Sequence, residues 1–362
     1  MKNLRYFLLI LFCYLFFPSC GQQPQLSNLT PEEQLQQDVD NRVDKYATKI
    51  RITLTVSEFK SHKLRPGEYI ILVNDGTPLD SLNINTDSVT IICSNLVFAE
   101  KPLTTSFGSK VVIDGHNTTF TGINVRGNYV TLVNFGVKGT TQYGLKWVGS
   151  NGYCGNFSIS SIGFNYFTGT DSILFSQQVG VKVFGVNTTF NKLLIDSTSF
   201  DAFGVGCSGV VIKNSTFTNI GLAGHTNGDG IQLYEDVVPQ DAEFTLINSY
   251  IRLQYPIKHC LLGHNRIITA IGNTLMGGST GVICGKNSVI TNNTIMDQKQ
   301  NLYTGVKGRG IVIFDITNII CEGNTISNDD TGILIFSADS SVEDLENDNV
   351  FINCIENVAV KH

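Results

Sequence analysis

Residues 228–234, Gly-Asp-Gly-Ile-Gln-Leu-Tyr, contain the pattern that decides the fold, a glycine that opens a short strand of alternating side chains. The pattern appears eight times between residues 144 and 335, at steps of 22 to 36 residues. It opens at Gly144, Gly180, Gly204, Gly230, Pro256, Gly281, Gly310 and Gly332. Self-similarity at a period of this length is the signature of a solenoid, in which each repeat buries its apolar side against its neighbours.

A second element alternates with the first and keeps the same period. It comprises five six-residue segments, at residues 195–200, 212–217, 246–251, 290–295 and 321–326. Leucine-rich repeats have a similar length, but they need leucines and an asparagine in a fixed register that these segments lack. The two elements together predict an all-β chain, a right-handed parallel β-helix whose coils each supply two or three short strands.

The composition excludes several other classes of protein. The chain of 362 residues is 42% hydrophobic and 15% charged, which excludes disorder for most of its length. Its 35 glycines against 8 prolines favour strands and tight turns over a helical bundle. The formal net charge is −6, and no basic block follows the first residues, so we expect no nucleic-acid partner.

The first residues have the pattern of an export signal. Lys2 and Arg5 precede an apolar run at residues 6–17, which is followed by Ser-Cys-Gly at residues 19–21. This order is typical of a secretory signal, and the run is too short for a membrane span. The last segment resembles the lipobox of bacterial lipoproteins, which implies lipidation of Cys20 and membrane attachment through it. We expect a cell-envelope or outer-membrane lipoprotein, or an extracellular protein if Cys20 is incidental.

Composition and capping signals divide the chain into five parts. Thr30 and Glu33 are spaced as a capping box, which predicts a helix whose apolar face plugs the end of the solenoid. The predicted parts are the signal at residues 1–19, a tether at 20–30, the N-terminal helix or cap at 31–48, the β-helix at 50–355 and a C-terminal tail at 356–362.

Residues 64–73 (LRPGEYIILV) contain a Pro-Gly-acidic-aromatic-aliphatic pattern, and residues 111–115 and 121–139 look like early coils. In these features the chain resembles the pectate-lyase-like β-helix superfamily of secreted polysaccharide-active proteins. The resemblance covers about residues 50 to 355. It implies action on a polysaccharide, by lyase, epimerase or hydrolase chemistry, and the superfamily also includes noncatalytic surface proteins.

Cysteine and asparagine have structural explanations. Cys207 and Cys284 lie three residues after an opening glycine, where other coils have apolar residues, so we predict buried thiols. No Cys-x-x-Cys pair is present, and no metal site is expected from cysteine, although calcium at acidic loops stays open. The turn asparagines are expected to stack from coil to coil. They are Asn214, Asn248, Asn292, Asn293 and Asn324.

Aligning the coils on the opening glycine turns sequence positions into neighbours about 4.8 Å apart. The second position after the glycine is polar in four coils, with Lys146, Lys182, Gln232 and Lys258. Such a stripe predicts an outward face that binds substrate. An ordinary solvated strand face explains the stripe equally simply.

Residues 224–234 bring His225, Asp229 and Tyr234 close together in the sequence, and the alignment places Tyr255 and Lys258 in the next coil. Histidine, aspartate, tyrosine and lysine on one face form a plausible acid–base site, and Asp229 is the single carboxylate in its aligned column. The competing interpretation is that Asp229 only caps a Gly-Asp-Gly turn.

The reaction type follows from the residues available. Glycoside hydrolysis needs two carboxylates that flank the bond. Only Asp229 lies in the aligned strand, with Asp201, Glu235 and Asp236 as candidates in loops, so hydrolysis is disfavoured. Elimination or epimerisation of a uronate needs a cation, a base and a proton donor. We therefore predict lyase or epimerase chemistry on an acidic, uronate-containing glycan. The alternative is a noncatalytic glycan-binding or structural protein that uses the same groove. The catalytic candidates are Asp229, His225, Lys258, Tyr255 and Tyr234, and the substrate-binding candidates are Gln232, Lys182, Lys146 and Arg309.

Overall fold

In a computed structural model of the chain, the structure describes residues 29–46, 51–93, 110–116, 121–163, 178–221, 228–255, 258–301, 304–336 and 342–361. These residues form two parallel sheets, of nineteen and eleven strands, and three helices. The helices are α1 (Pro31–Tyr46), α2 (Val56–Ser61) and α3 (Val342–Asn347). The predicted parallel β-helix is confirmed.

The eleven-stranded sheet forms one side of the solenoid. Its strands are β3 (Leu82–Ile84), β6 (Thr121–Val125), β9 (Tyr143–Trp147), β11 (Val179–Val183), β13 (Phe203–Val205), β16 (Ile231–Leu233), β19 (His259–Leu262), β22 (Thr280–Cys284), β25 (Arg309–Ile313), β28 (Thr331–Ile335) and β30 (Glu356–Val360). Each strand pairs with its equivalent in the coil before and the coil after, so side chains at one register position form a column along the axis.

The nineteen-stranded sheet forms the other two sides. Its strands are β1 (Arg51–Thr55), β2 (Tyr69–Val73), β4 (Thr90–Cys93), β5 (Val111–Asp114), β7 (Thr131–Val133), β8 (Phe135–Lys138), β10 (Tyr153–Ile162), β12 (Thr189–Thr198), β14 (Val210–Lys213), β15 (Thr216–Ile220), β17 (Glu243–Ile247), β18 (Tyr250–Leu253), β20 (Ile267–Ile271), β21 (Thr274–Met276), β23 (Val289–Thr291), β24 (Thr294–Met296), β26 (Ile320–Glu322), β27 (Thr325–Ser327) and β29 (Val350–Ile352). It bends between two ladders where one residue per coil has a positive φ, as at Asn156 and Asn214. Asparagine tolerates this left-handed conformation, which explains its frequency at the bend.

The interior is filled by apolar side chains from all three sides. Trp147, Phe190 and Phe203 form an edge-to-face series along the axis, with ring centroids 6.0 and 5.0 Å apart. Cys207 and Cys284 are buried among these side chains as free thiols. Their predicted burial is therefore confirmed, although Val205 and not Cys207 pairs with Leu233 at the predicted strand position.

Asparagines also form a second column, inside the coil. The side-chain amide of Asn273 donates to Asn293 Oδ1, that of Asn293 to Asn324 Oδ1, and that of Asn324 to Asn349 Oδ1, each at 2.9 Å. Each Oδ1 also accepts the backbone N–H of the preceding coil's asparagine. Asn293 and Asn324 therefore stack as predicted, and the amide of Asn214 donates to Asn191 Oδ1 of the preceding coil at 3.0 Å. Asn214, Asn248 and Asn292 occupy the positive-φ bend.

An opening glycine lies at the corner where a strand of the eleven-stranded sheet begins, as at Gly144 in β9 and at Gly230 just before β16. A Cβ added at Gly144 would lie 2.8 Å from the carbonyl oxygen of Gly180, and one added at Gly230 would lie 2.6 Å from that of Cys260. The backbones of successive coils therefore approach too closely at this corner for most side chains.

Two of the eight predicted registers are wrong. Lys182 pairs with Gly204, so Ala202 and not Gly204 occupies the corner of that coil. Ile231 pairs with Leu261, so Cys260 occupies the next corner, four residues after the predicted Pro256, which lies outside the described residues. In both coils another small residue takes the place of glycine.

Helix α1 does not plug the end of the solenoid as predicted. It lies on an outer side, where Leu35, Val39 and Val43 pack against Tyr69 and Tyr153 in a cluster separate from the interior core. The end is closed by α2, whose Val56 and Phe59 belong to the interior core.

The C-terminal residues extend the solenoid. Strand β30 pairs in parallel with β28, so Glu356–Val360 is a coil strand and the predicted boundary at residue 355 is too early. In the described part of the chain, no helix is long and apolar enough to cross a membrane.

Candidate functional site

The site lies at the corner of the middle coils, beside the outer face of the eleven-stranded sheet. The register aligns Asp201, Asp229 and His259 in three successive coils, at the position just before the corner residue. We call this line of residues the corner column. Its described members, in order along the axis, are Thr121, Tyr143, Val179, Asp201, Asp229, His259, Thr280, Arg309, Thr331 and Glu356.

Two aspartates are therefore neighbours, one coil apart. The backbone N–H of Asp229 donates to Asp201 Oδ1 at 2.8 Å, and the backbone N–H of His259 donates to Asp229 Oδ1 at 2.8 Å. Both aspartates are fully buried. We call Asp201 and Asp229 the aspartate dyad.

The dyad titrates far from the ordinary range of aspartate. Burial, together with the charge of Asp229, raises the pKa of Asp201 well above its usual value. Burial also raises the pKa of Asp229 to about 6, although Lys258 and the hydrogen bond from His259 oppose the rise. The dyad therefore holds a proton at a pH at which ordinary aspartates have lost theirs.

Four buried polar atoms lie within this short stretch of the solenoid without a hydrogen-bond partner among the described residues. They are Asp201 Oδ2, Asp229 Oδ2, Tyr234 Oη and His259 Nδ1. Buried polar atoms are almost always paired, so a group of four marks a place where a ligand, water or reaction supplies the partner. Burial, with the charge of Lys258, lowers the pKa of His259 to about 3, so its ring is neutral.

Tyr234 and Lys182 stand beside the dyad on the outer face. The Tyr234 hydroxyl occupies the space left by Gly204, because a Cβ there would lie 1.9 Å from Oη. Lys182 Nζ lies 4.9 Å from the Tyr234 ring centroid and 5.4 Å from that of Tyr143. Burial, followed by the charge of Asp201, raises the pKa of Tyr234, so its hydroxyl is neutral.

A positively charged stripe runs away from the dyad. Lys146 pairs in register with Lys182, Lys182 with Gly204, and Gly204 with Gln232. Lys146, Lys182 and Gln232 therefore share a column as predicted, with Gly204 in the place predicted for Gly206. Both lysines are half-buried, and burial followed by the charge of Lys146 lowers the pKa of Lys182. An anionic ligand would relieve this repulsion.

The structure separates some residues that the sequence had grouped. Lys258 does not extend the lysine stripe, because Leu262 pairs with Gln232, but it lies beside the dyad, just before His259. Arg309 is in the corner column, two coils beyond His259. Tyr255 is exposed and follows β18 in the nineteen-stranded sheet, outside the corner column.

Two more predictions need correction. Asp229 was expected on an exposed face and is fully buried, and it is not the single carboxylate of its column. Alignment on Gly204 as a corner residue predicts a loop position for Asp201, whereas the register places it next to Asp229 in the corner column. The sequence does contain a signal that Asp201 and Asp229 are equivalent positions, because Asp-Ala-Phe at residues 201–203 parallels Asp-Gly-Ile at residues 229–231. Candidates His225 and Cys20 lie outside the described residues.

The arrangement provides the groups for proton transfer next to an anion site. Two carboxyl groups of unequal pKa can act as acid and base, and the lysines can neutralise an acidic substrate. In the described part of the chain, no group of three or more His, Cys, Asp and Glu side chains is placed to hold a metal ion.

Comparison with known proteins gives one match. The family model described as "Right handed beta helix region" matches residues 163–355, just over half of the chain and the part that contains the dyad. No curated protein matches the chain. No solved structure matches it.

Proposed function

The chain belongs to the right-handed β-helix family, and we propose that it processes an acidic polysaccharide by acid–base chemistry at the aspartate dyad. The observation that supports this proposal is a pair of adjacent buried aspartates with raised pKa values, next to Lys182 and Lys258. Buried carboxylates with perturbed pKa values concentrate at functional sites.

The lysines favour a uronate as the reacting sugar. Lys146 and Lys182 lie in successive coils about 4.8 Å apart and have no ion-pair partner among the described carboxylates. Two cations in a row match two acidic groups on neighbouring sugars. A cation at the substrate carboxylate also acidifies the proton alpha to it, which elimination and epimerisation both require.

In the proposed reaction, one dyad carboxylate removes the proton alpha to the uronate carboxylate. The protonated carboxyl group gives its proton to the leaving oxygen in elimination, or to the opposite face of the sugar carbon in epimerisation. Both carboxyl groups are buried in the free protein, so the sugar must displace a neighbouring side chain. We expect Tyr234 to move, because its hydroxyl has no described hydrogen-bond partner to hold it.

Hydrolysis is a second candidate, favoured by one specific observation. The second carboxylate, whose absence from the aligned strand disfavours hydrolysis in the sequence, is present as Asp201 in the adjacent coil. Hydrolysis needs two carboxyl groups on either side of a glycosidic bond. The two reactions give different products, because only elimination leaves an unsaturated sugar.

The test is product analysis on a panel of uronate polymers. Unsaturated product seen by ultraviolet absorbance indicates elimination, new reducing ends without it indicate hydrolysis, and NMR of the intact polymer detects epimerisation. We expect elimination or epimerisation, with kcat/KM rising through about pH 6 as the dyad loses a proton. Binding without any product would contradict the proposal and indicate a noncatalytic glycan-binding protein.

Matched variants separate catalysis from turn capping. Asp229→Asn keeps the Oδ1 acceptor for the N–H of His259 but removes the charge, so the fold should survive while the rate falls about a hundredfold to ten-thousandfold. Asp241→Asn, at an exposed position outside the site, is the control for loss of a negative charge. Full activity of Asp229→Asn would show that Asp229 only caps the turn and takes no part in catalysis.

The location of the protein is part of the same proposal. An extracellular polysaccharide requires export, which the signal-like residues 1–19 support. Attachment through a lipid on Cys20 would place the solenoid at the cell envelope, where such polymers are encountered.

A further inference from the structure

The outer face of the eleven-stranded sheet changes character beyond the dyad. The stripe that contains Lys146, Lys182 and Gln232 continues in the same register with apolar side chains. These are Leu262, Ile283, Val312 and Leu334, which form a cluster of their own outside the interior core. The C-terminal half of this face is therefore built differently from the half that contains the dyad.

Two aromatic rings stand exposed at the end of this face. Phe314 and Phe336 follow paired residues of β25 and β28, so they are neighbours in successive coils. Their ring centroids are 5.2 Å apart at an interplanar angle of 20°, and the two side chains are 41% and 38% exposed. Such a pair offers a nearly flat apolar surface of two rings, which we call the phenylalanine platform.

The platform adjoins a positively charged cavity of about 510 Å³. Its lining includes the cations Lys307, Arg309 and Lys361 and the single carboxylate Glu356, a local excess of two positive charges in a chain of net charge −6. Lys361 connects the two features, because its Nζ also lies 6.0 Å from the ring centroid of Phe336. A local positive field on an acidic protein selects an anionic ligand.

We propose that the phenylalanine platform and this cavity form a distal subsite for the same acidic polysaccharide. The inference rests on the proposed function and adds a second contact region to it. Tyr234 and Phe314 occupy equivalent positions three coils apart, about 14 Å along the axis, so one glycan chain lying along the face reaches both. The apolar face of a sugar ring stacks on the platform, while its acidic group lies toward Lys361 and Arg309.

The test measures affinity as a function of glycan length. The parent protein, Phe314→Ala, Phe336→Ala and the double variant are titrated with a short uronate oligosaccharide and with the long polymer, by calorimetry. In the parent, affinity should rise with chain length, and loss of the platform should reduce this gain by about threefold to tenfold. Ile352→Ala, a partly exposed position in the nineteen-stranded sheet, is the control for loss of an exposed apolar side chain.

The outcomes distinguish the subsite from the catalytic proposal. If the parent turns the polymer over and the double variant keeps the full gain in affinity with length, the subsite is wrong and the catalytic proposal stands. If the parent binds without product and the gain shrinks in the variants, the subsite stands and the catalytic proposal is wrong. A parent that binds no uronate polymer overturns the subsite. A dimer that the double variant loses, seen by sedimentation, would assign the platform to a second copy of the chain and also overturn it.

Discussion

Asn293 illustrates how single side chains hold successive coils together. Its Oδ1 accepts both the backbone N–H and the side-chain amide of Asn273, and its own amide donates to Ala270 O and Asn324 Oδ1. All of these atoms are buried, so removal of the side chain leaves several polar groups unpaired.

Asn293→Ala should therefore destabilise the protein by about 3 kcal/mol, measured by urea denaturation. Asn83→Ala is the control, since Asn83 is exposed and its side chain accepts one hydrogen bond from Asn124. We expect less than about 1 kcal/mol for the control. Equal losses in the two variants would show that the interior column adds nothing to stability.

Asp329 gives a prediction about pH. Burial raises the pKa of Asp329 to about 8. The folded protein therefore binds a proton that the unfolded chain has released above about pH 4, so this group's contribution to stability is lost as the pH rises from about 4 to 8.

Asp329→Asn removes this pH dependence, and Asn keeps an Oδ1 acceptor for the backbone N–H of Gln298. The variant should match the parent near pH 4 and be more stable at pH 8.5, by at most about 5 kcal/mol. Urea midpoints at the two pH values measure the difference, with Asp241→Asn at an exposed position as the control. The same difference between parent and variant at both pH values would contradict the pKa assignment.

At the scale of residues, the sequence predicted those features that local chemistry determines. Cys284 occupies a core position because an alternating strand buries every second side chain on its inner face. Cys207 is also buried, but it lies beyond the end of β13, where its thiol donates to Gly185 O at 3.3 Å. Of the dyad, the sequence singled out Asp229 but could not place Asp201 beside it. The position of Asp201 depends on whether Gly204 or Ala202 occupies the corner. Both are small residues, and only the pairing between coils decides between them.

Among the elements, α1 differs most from its prediction. The amphipathic pattern of α1 is satisfied equally by the end of the solenoid and by its side, and the structure uses the side. Polar contacts reinforce this packing: Lys213 Nζ lies 2.8 Å from Asp38 Oδ2, and Asn191 donates to the same oxygen at 3.0 Å. Since the end is already closed by α2, the β-helix has its own cap without α1.

Val39→Asp should therefore release α1 while the β-helix stays folded. Val39 is fully buried at the centre of the contact, and an unpaired charge there costs about 2–4 kcal/mol. Limited proteolysis should cut within residues 31–46 of the variant, with the strand signal in circular dichroism unchanged. Asn41→Asp, on the exposed side of α1, is the control.

Simultaneous loss of the strand signal and of protection in α1 would contradict this account, because it would make α1 part of one cooperative unit with the coils.

The strands themselves were predictable from the repeated glycine and the alternation of side chains. Their registers were less predictable, because the connections between strands vary in length. The segments at residues 195–200 and 212–217 are an example, since Ile195 pairs with Phe217 and not with Ile212.

On the scale of the whole molecule, one long face carries the lysine stripe, the aspartate dyad at its corner and an apolar region. The lysine stripe, the dyad and the phenylalanine platform follow one another along the axis of the eleven-stranded sheet. The repeat in the sequence predicted this axis. The order of polar and apolar positions along the face depends on the registers of the coils that begin at residues 204 and 256, which the sequence left ambiguous.

The central claim is that Asp201 and Asp229 share a buried site and titrate as a pair. Carbon-13 NMR of aspartate-labelled protein measures this directly, with Asp201→Asn and Asp229→Asn to assign the two carboxyl signals. We predict one titration near pH 6 and one at higher pH in the parent, and a lower pKa of Asp201 once Asp229 is neutral. Two independent titrations near pH 4, unchanged by either substitution, would contradict the account.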